Sequence, residues 1–237
     1  MRKTLYIASE VRSGSTFIAE SISYYLNERF GYEFWDLAQE KFSGLHAEST
    51  ADEIIGIQSN LYLNPEGWAS SKIMCKALSI IKRESAKSET VKDAFFGENA
   101  YWIVIRRKNK IQQAISLAMA RKSGLYHYYD DPNNAPDNNI SPDSVEIEEA
   151  LKSILLSDTY LESFASALPQ DRHIEIGYEE FLNHKIENIN KINTLCGLPI
   201  DQEITNEINL AKIKQTSQSE KQAARIKFVD WFLENYY

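Results

Sequence analysis

Cysteine is nearly missing from this chain: Cys75 and Cys196 are the only two in 237 residues. A single pair is no disulfide framework, and no Cys/His spacing of a zinc site occurs, so neither class is indicated. Cations are outnumbered, with 26 Lys and Arg against 34 Asp and Glu and a net charge of −8. That balance argues against general nucleic-acid binding, which needs a basic face. It leaves room for a small anionic ligand, because a local cluster of Arg and Lys outweighs the global field. No apolar run is long enough to span a membrane. The start, Met1-Arg2-Lys3, leads into an apolar stretch too short for a secretory leader. These features predict a cytoplasmic protein with no nucleic-acid partner and no membrane span.

What the chain does have is an ordinary apolar share, 43%, enough to fill a sizeable core. The length suits one α/β domain, so residues 1–237 are expected to form a single domain. Four short apolar runs read as strands, at 4–8, 71–75, 102–105 and 173–176. Helical patterns separate them: 17–30, a run before Gly97, 112–122, 144–167, 178–195 and 217–235. Strands alternating with long helices predict a central parallel sheet flanked by helices. Residues 128–142 are dense in Asp, Asn and Pro and predict a flexible surface loop.

The segment richest in chemistry is Ala8-Ser9-Glu10-Val11-Arg12-Ser13-Gly14-Ser15-Thr16, directly after the first apolar run. It reads as a strand, a tight turn and a helix start. Backbone N–H groups at such a junction converge on an anion, and the helix dipole adds partial positive charge. Arg12 adds a full charge with a planar fork suited to phosphate or sulfate. Capping alone would also favour Ser13, Ser15 and Thr16. The nucleotide-triphosphate loop G-x-x-x-x-G-K-[ST] is absent: there is one Gly and no Lys after it. The third apolar run ends in Arg106-Arg107-Lys108 rather than in a magnesium-binding carboxylate. Three cations at a helix start oppose its dipole and invite a compensating anion. A metal site is therefore not expected.

Taken in order, the motifs resemble the sulfotransferases that use 3′-phosphoadenosine 5′-phosphosulfate. They are most similar to the bacterial carbohydrate group typified by trehalose sulfotransferase. Arg12-Ser13-Gly14-Ser15-Thr16 resembles that family's 5′-phosphosulfate loop. Ile105-Arg106-Arg107-Lys108, continuing to Ser116-Leu117, resembles its 3′-phosphate motif of a strand, an Arg and a helix presenting a Ser. Tyr178-Glu179-Glu180-Phe181 resembles its Tyr-Glu-Asp-Leu, and Leu195-Cys196-Gly197-Leu198-Pro199 its Leu-Gly-Leu-Pro helix end. Ser71-Lys72-Ile73-Met74 is similar to a family strand.

The resemblance implies a P-loop-type sulfotransferase fold. It also implies transfer of a sulfuryl group to a hydroxyl of a carbohydrate or other small alcohol, with no metal required. It leaves a homodimer open. Arg12, Ser13, Gly14, Ser15, Thr16, Phe17, Arg107, Lys108 and Ser116 would bind the donor, Phe17 standing where many members stack a Trp on adenine. The family's 3′-phosphate Arg lies eight residues before the Ser, which here is Lys108, so the choice between Arg107 and Lys108 stays open. Glu33, in Glu33-Phe34-Trp35, matches the proposed base of the carbohydrate members, with Asp36, His46 and His127 as rivals. The terminal stretch from Lys214 resembles the segment that folds over the nucleotide. The alternatives are a small-molecule kinase on a related fold and a non-catalytic nucleotide-binding module.

Overall fold

Apolar side chains fill both faces of Leu5-Tyr6-Ile7-Ala8, the pattern of a central strand in a parallel sheet. The computed structural model describes residues 2–25, 31–35, 44–64, 66–124, 141–197 and 218–236. Its elements in chain order are β1 (Lys3–Ser9), α1 (Ser15–Tyr25), β2 (Gly31–Trp35), α2 (Ala51–Ser59), β3 (Trp68–Met74), α3 (Cys75–Ser85), α4 (Glu89–Phe96), β4 (Ala100–Arg106), α5 (Lys110–Ser123), α6 (Ser144–Ser166), β5 (His173–Gly177), α7 (Tyr178–Asn183), α8 (Lys185–Cys196) and α9 (Gln218–Tyr236). The sheet has five strands in the order β2-β3-β1-β4-β5. Every pairing is parallel, as the sequence pattern predicts. The order reverses around β1, so the C-terminal end of β1 is the switch point where ligands bind in open α/β sheets.

The differences from the sequence reading have local causes. A fifth strand, β2, lies just past the expected first helix, where no strand was expected. Gly31 opens this strand, and Trp35 anchors it, fully buried with its indole N–H donating to Ser71 Oγ at 2.9 Å. The run before Gly97 is two helices, because Ser88 starts a new one by accepting from the Val91 N–H. Cys75 opens α3 rather than closing β3. The 178–195 helix breaks at His184, which has a non-helical backbone. Helix α2 was missed although Thr50 and Glu53 form a reciprocal capping box at its start. Most of the loop expected at 128–142 lies outside the described residues, as do residues 26–30 of the expected first helix.

The chain divides into two compact units: Met1–Arg106 with Ser157–Asn206, and Arg107–Leu156 with Glu207–Tyr237. The first holds the sheet. On one of its faces Tyr6, Trp35, Phe95, Trp102 and Phe164 form the centre of a buried cluster completed by α3 and α4. Tyr6 lies 4.8 Å from Trp102 and 5.0 Å from Phe95, ring centre to ring centre. The Trp102 indole N–H donates to the Phe95 carbonyl at 2.8 Å, so its one polar atom is satisfied inside the core. α1, α7 and α8 lie against β1, β4 and β5. In the second unit α9 packs on α5, with Phe228 buried and stacked near Trp231.

Candidate active site

The 12–16 loop follows β1 as the sequence pattern predicts, and its backbone is unusual. Arg12 has φ 59°, the one non-glycine residue with positive φ among those described. Such a left-handed residue costs roughly 1–2 kcal/mol. Gly14, two residues on, has φ 86°. Ser13 sits between them with no exposed surface, and its Oγ is buried without a hydrogen-bond partner. An orphaned buried hydroxyl is destabilising by about 1–3 kcal/mol unless something supplies its partner. The loop is closed by the Ser13 N–H donating to the Glu10 carbonyl at 3.3 Å. The Ile18 N–H then donates to the Gly14 carbonyl at 3.1 Å, opening α1. Ahead of it lie the first amides of the helix, which have no intrahelical acceptor.

A residue outside the sequence-derived set joins this loop. Lys72, in the middle of β3, is only 6% exposed, and its ammonium donates to Thr16 Oγ1 at 3.0 Å. A lysine is almost never so buried without partners. The signal in the sequence was a lone cation within the strand run Ser70-Ser71-Lys72-Ile73. Lys72 thus brings a positive charge from the neighbouring strand to the loop that carries Arg12.

Two further contacts brace the loop from the β5–α7 junction. The ring of Tyr178 occupies the space that a Cβ on Gly14 would need. Phe181, one turn later, meets Phe17 edge-on at 6.2 Å between ring centres. Lys185 Nζ lies 5.3 Å from the centre of the same Phe17 ring, a cation–π distance.

The three cations of the second motif have different surroundings. Arg106, at the end of β4, is already neutralised. Its guanidinium makes a two-pronged contact with Asp158 at 2.8 and 3.0 Å and reaches Glu162 at 3.0 Å. These carboxylates, Asp158 first, raise the already high Arg106 pKa further. Arg106 is thus a structural ion-pair hub. In the second unit, Arg107 donates to the Gln112 side chain at 3.2 Å, and Lys108 is exposed. Asn109 caps α5 by accepting from the Gln112 N–H at 3.0 Å. Ser116 is buried one to two turns into that helix.

Of the rivals for general base, Glu33 falls within β2, but its side chain lies outside the described residues. Asp36, His127 and the stretch from Lys214 to Ser217 lie outside them altogether. His46 is tied into the start of α2. Its ring is 3.6 Å from Glu53, and its backbone N–H donates to Ser49 Oγ at 2.9 Å. Cys75 is buried with its thiol donating to the Ser157 carbonyl, and burial pushes its pKa up to about 12, so it is no nucleophile. Among the described residues no group of three or more His, Cys, Asp and Glu is placed to hold a metal ion. Nor is any helix among them long and apolar enough to cross a membrane.

Compared with known proteins, residues 67–227 match the family model described as Stf0 sulphotransferase. The chain belongs to the Stf0 sulfotransferase family. The match covers well over half of this sulfotransferase and begins downstream of the 12–16 loop. The fold is shared with the sulfotransferase domain from the curacin biosynthetic pathway. The two are 12% identical over 93% of this chain and 83% of that one, with a TM-score of 0.51. Mouse sulfotransferase SULT7A1 complexed with PAP is 15% identical over 98% of this chain and 82% of its own, with a TM-score of 0.48. Retinol dehydratase in a complex with retinol and PAP is 12% identical over 100% and 83%, with a TM-score of 0.49. No curated protein matches the chain.

Proposed function

We propose that this sulfotransferase moves a sulfuryl group from 3′-phosphoadenosine 5′-phosphosulfate to a hydroxyl of a carbohydrate or other small alcohol. The observation that carries the reading is the buried Ser13 hydroxyl, lacking any protein partner between two left-handed residues at the switch point of the sheet. A phosphate or sulfate oxygen is the partner this hydroxyl lacks, at a helix start where anions are favoured. The donor, when bound, supplies a sulfuryl group on a phosphate leaving group. Arg12, Ser13 and the amides of residues 13–16 hold its 5′ end. Lys72 fixes the Thr16 hydroxyl and adds a buried positive charge. Such prearranged charge acts strongly where water is excluded. It serves a sulfuryl group without a metal, because that group carries less negative charge than a phosphoryl group.

The remaining roles rest on the sequence motifs. Phe17 offers an aromatic face for adenine. Arg107 or Lys108, with Ser116, takes the 3′-phosphate. Glu33 receives the proton of the acceptor hydroxyl. The kinase alternative is not favoured, because the loop lacks the Gly-Lys pair that cradles a triphosphate.

Thermal stability with adenosine 3′,5′-bisphosphate, against ATP plus Mg²⁺, tests the donor. A ligand at 100 times its Kd adds about 2.7 kcal/mol, and for a chain of this size each kcal/mol is worth about 2–4 °C. The bisphosphate is expected to raise the melting temperature on that scale, with little effect of ATP plus Mg²⁺. Stabilisation by ATP plus Mg²⁺ alone would restore the kinase.

A further inference from the structure

We infer that Lys185 is a further residue of the nucleotide site, the one that selects the base: from its place over the Phe17 ring, its ammonium donates a hydrogen bond to a ring nitrogen of the adenine. The inference rests on reading Phe17 as the adenine platform. Phe17 stands in the first turn of α1, directly after the 12–16 loop, and is half-buried. Stacking on an aromatic ring tolerates any base, because every base has a π face. Phe17 alone therefore does not choose adenine. A hydrogen-bond donor at the edge of the stack supplies the choice. Adenine carries ring nitrogens that accept, and an ammonium has three donors and no acceptor.

The fold brings Lys185 to this ring from far along the chain. Phe181, fully buried in α7, meets Phe17 edge-on and sets its orientation. The helix then breaks at His184, and Lys185 opens α8 with its Nζ 5.3 Å from the centre of the Phe17 ring. This cation–π contact keeps the ammonium beside the platform on a flexible four-carbon stem. Lys185 is half-buried there rather than spread into solvent. The helix itself gains nothing from the charge, since a cation at a helix start opposes the dipole. The acid of that first turn, Glu187, lies 3.5 Å from the His184 ring.

Calorimetric titration of the full chain with adenosine 3′,5′-bisphosphate and its 1-deaza, 3-deaza and 7-deaza analogues tests this. Each analogue replaces one ring nitrogen by C–H. In the parent, one analogue is expected to bind about 10-fold more weakly than the bisphosphate, the worth of one charge-assisted hydrogen bond. Lys185→Met keeps a stem over the ring and removes the ammonium. It is expected to lose that same factor for the bisphosphate and to bind that analogue as well as the bisphosphate. Lys185→Gln, with a neutral donor, is expected to fall between. Four nucleotides bound alike by the parent overturn the inference. A Lys185→Met variant that weakens all four by one factor, as loss of general charge or of fold would, also overturns it, because the losses then add. So does one that binds the bisphosphate more tightly than the parent, since the ammonium would then only cover the ring. Phe17→Leu separates this from the reading beneath it. A loss for all four keeps the platform whatever Lys185 does, and no loss for any of them removes the platform and the inference together. A parent chain that binds none of the four overturns the donor reading as well.

Discussion

Arg12 combines two costs that a merely structural residue would avoid: a left-handed backbone on a residue with a Cβ, and a full charge beside a buried hydroxyl. Arg12→Gly removes the strain, worth roughly 1–2 kcal/mol, and removes the guanidinium with it. The variant is expected to melt no lower than its parent while sulfuryl transfer falls by about 100- to 1000-fold, the usual loss for one such donor. Near-normal turnover beside an unchanged melting curve would take Arg12 out of the chemistry. The basic triplet calls for a different comparison. Arg106 is held by Asp158 and Glu162, so its replacement should act on stability rather than on phosphate recognition. Arg107→Ala and Ser116→Ala should weaken adenosine 3′,5′-bisphosphate more than AMP. Charge-assisted hydrogen bonds contribute about 1.5–3 kcal/mol, so the arginine change is expected to cost on the order of 10- to 100-fold. If Lys108→Ala alone discriminates between the nucleotides, the phosphate contact belongs to Lys108.

Helix starts decide how these side chains are presented. α5 is opened by Asn109, whose side chain accepts from the Gln112 N–H, and closed by Gly124 in the left-handed conformation. Asn109→Ala removes the opening cap at a cost of about 1 kcal/mol, or about 2–4 °C in melting temperature. Since Arg107 leans on Gln112, the same change should weaken the bisphosphate and leave AMP unaffected. Equal weakening of both would show that the cap does not serve the 3′ end. The same local chemistry explains which elements could be read in advance. The α5 cap and the Gly197 stop of α8 stand in the sequence next to strongly periodic stretches, and both ends of α5 and the C-terminal end of α8 came out close to where they were expected. The break at His184 carries no proline or glycine and leaves no such mark. β2 is equally silent, because it is short and only Trp35 reports its burial, through a bond to Ser71 on a strand far away in sequence.

The 12–16 loop is carried by a sheet whose core is aromatic. Trp102 touches Tyr6, Phe96 and Phe164 and satisfies its own N–H on the Phe95 carbonyl. Trp102→Ala leaves both a cavity and an unpaired carbonyl, and is expected to destabilise by about 3–5 kcal/mol. Trp102→Phe keeps part of the ring volume and should fall between. Denaturant unfolding measures both. A change under about 1 kcal/mol for the alanine variant would mean that the core relaxes around the gap.

Four of the five strands, their parallel pairing, the turn after β1 and the exclusion of a triphosphate loop were legible along the chain. Each is written in short-range spacing: apolar runs, one glycine, one arginine and the absence of a following lysine. The contacts of Lys72 and Tyr178 and the neutralisation of Arg106 were not legible. Lys72 meets Thr16, Tyr178 meets Gly14 and Arg106 meets Asp158 across separations that no periodicity encodes. A charge read from sequence has only its neighbours in the chain to balance it. In the fold, Asp158 reaches the end of β4 and balances Arg106, a partner that no neighbour along the chain supplies.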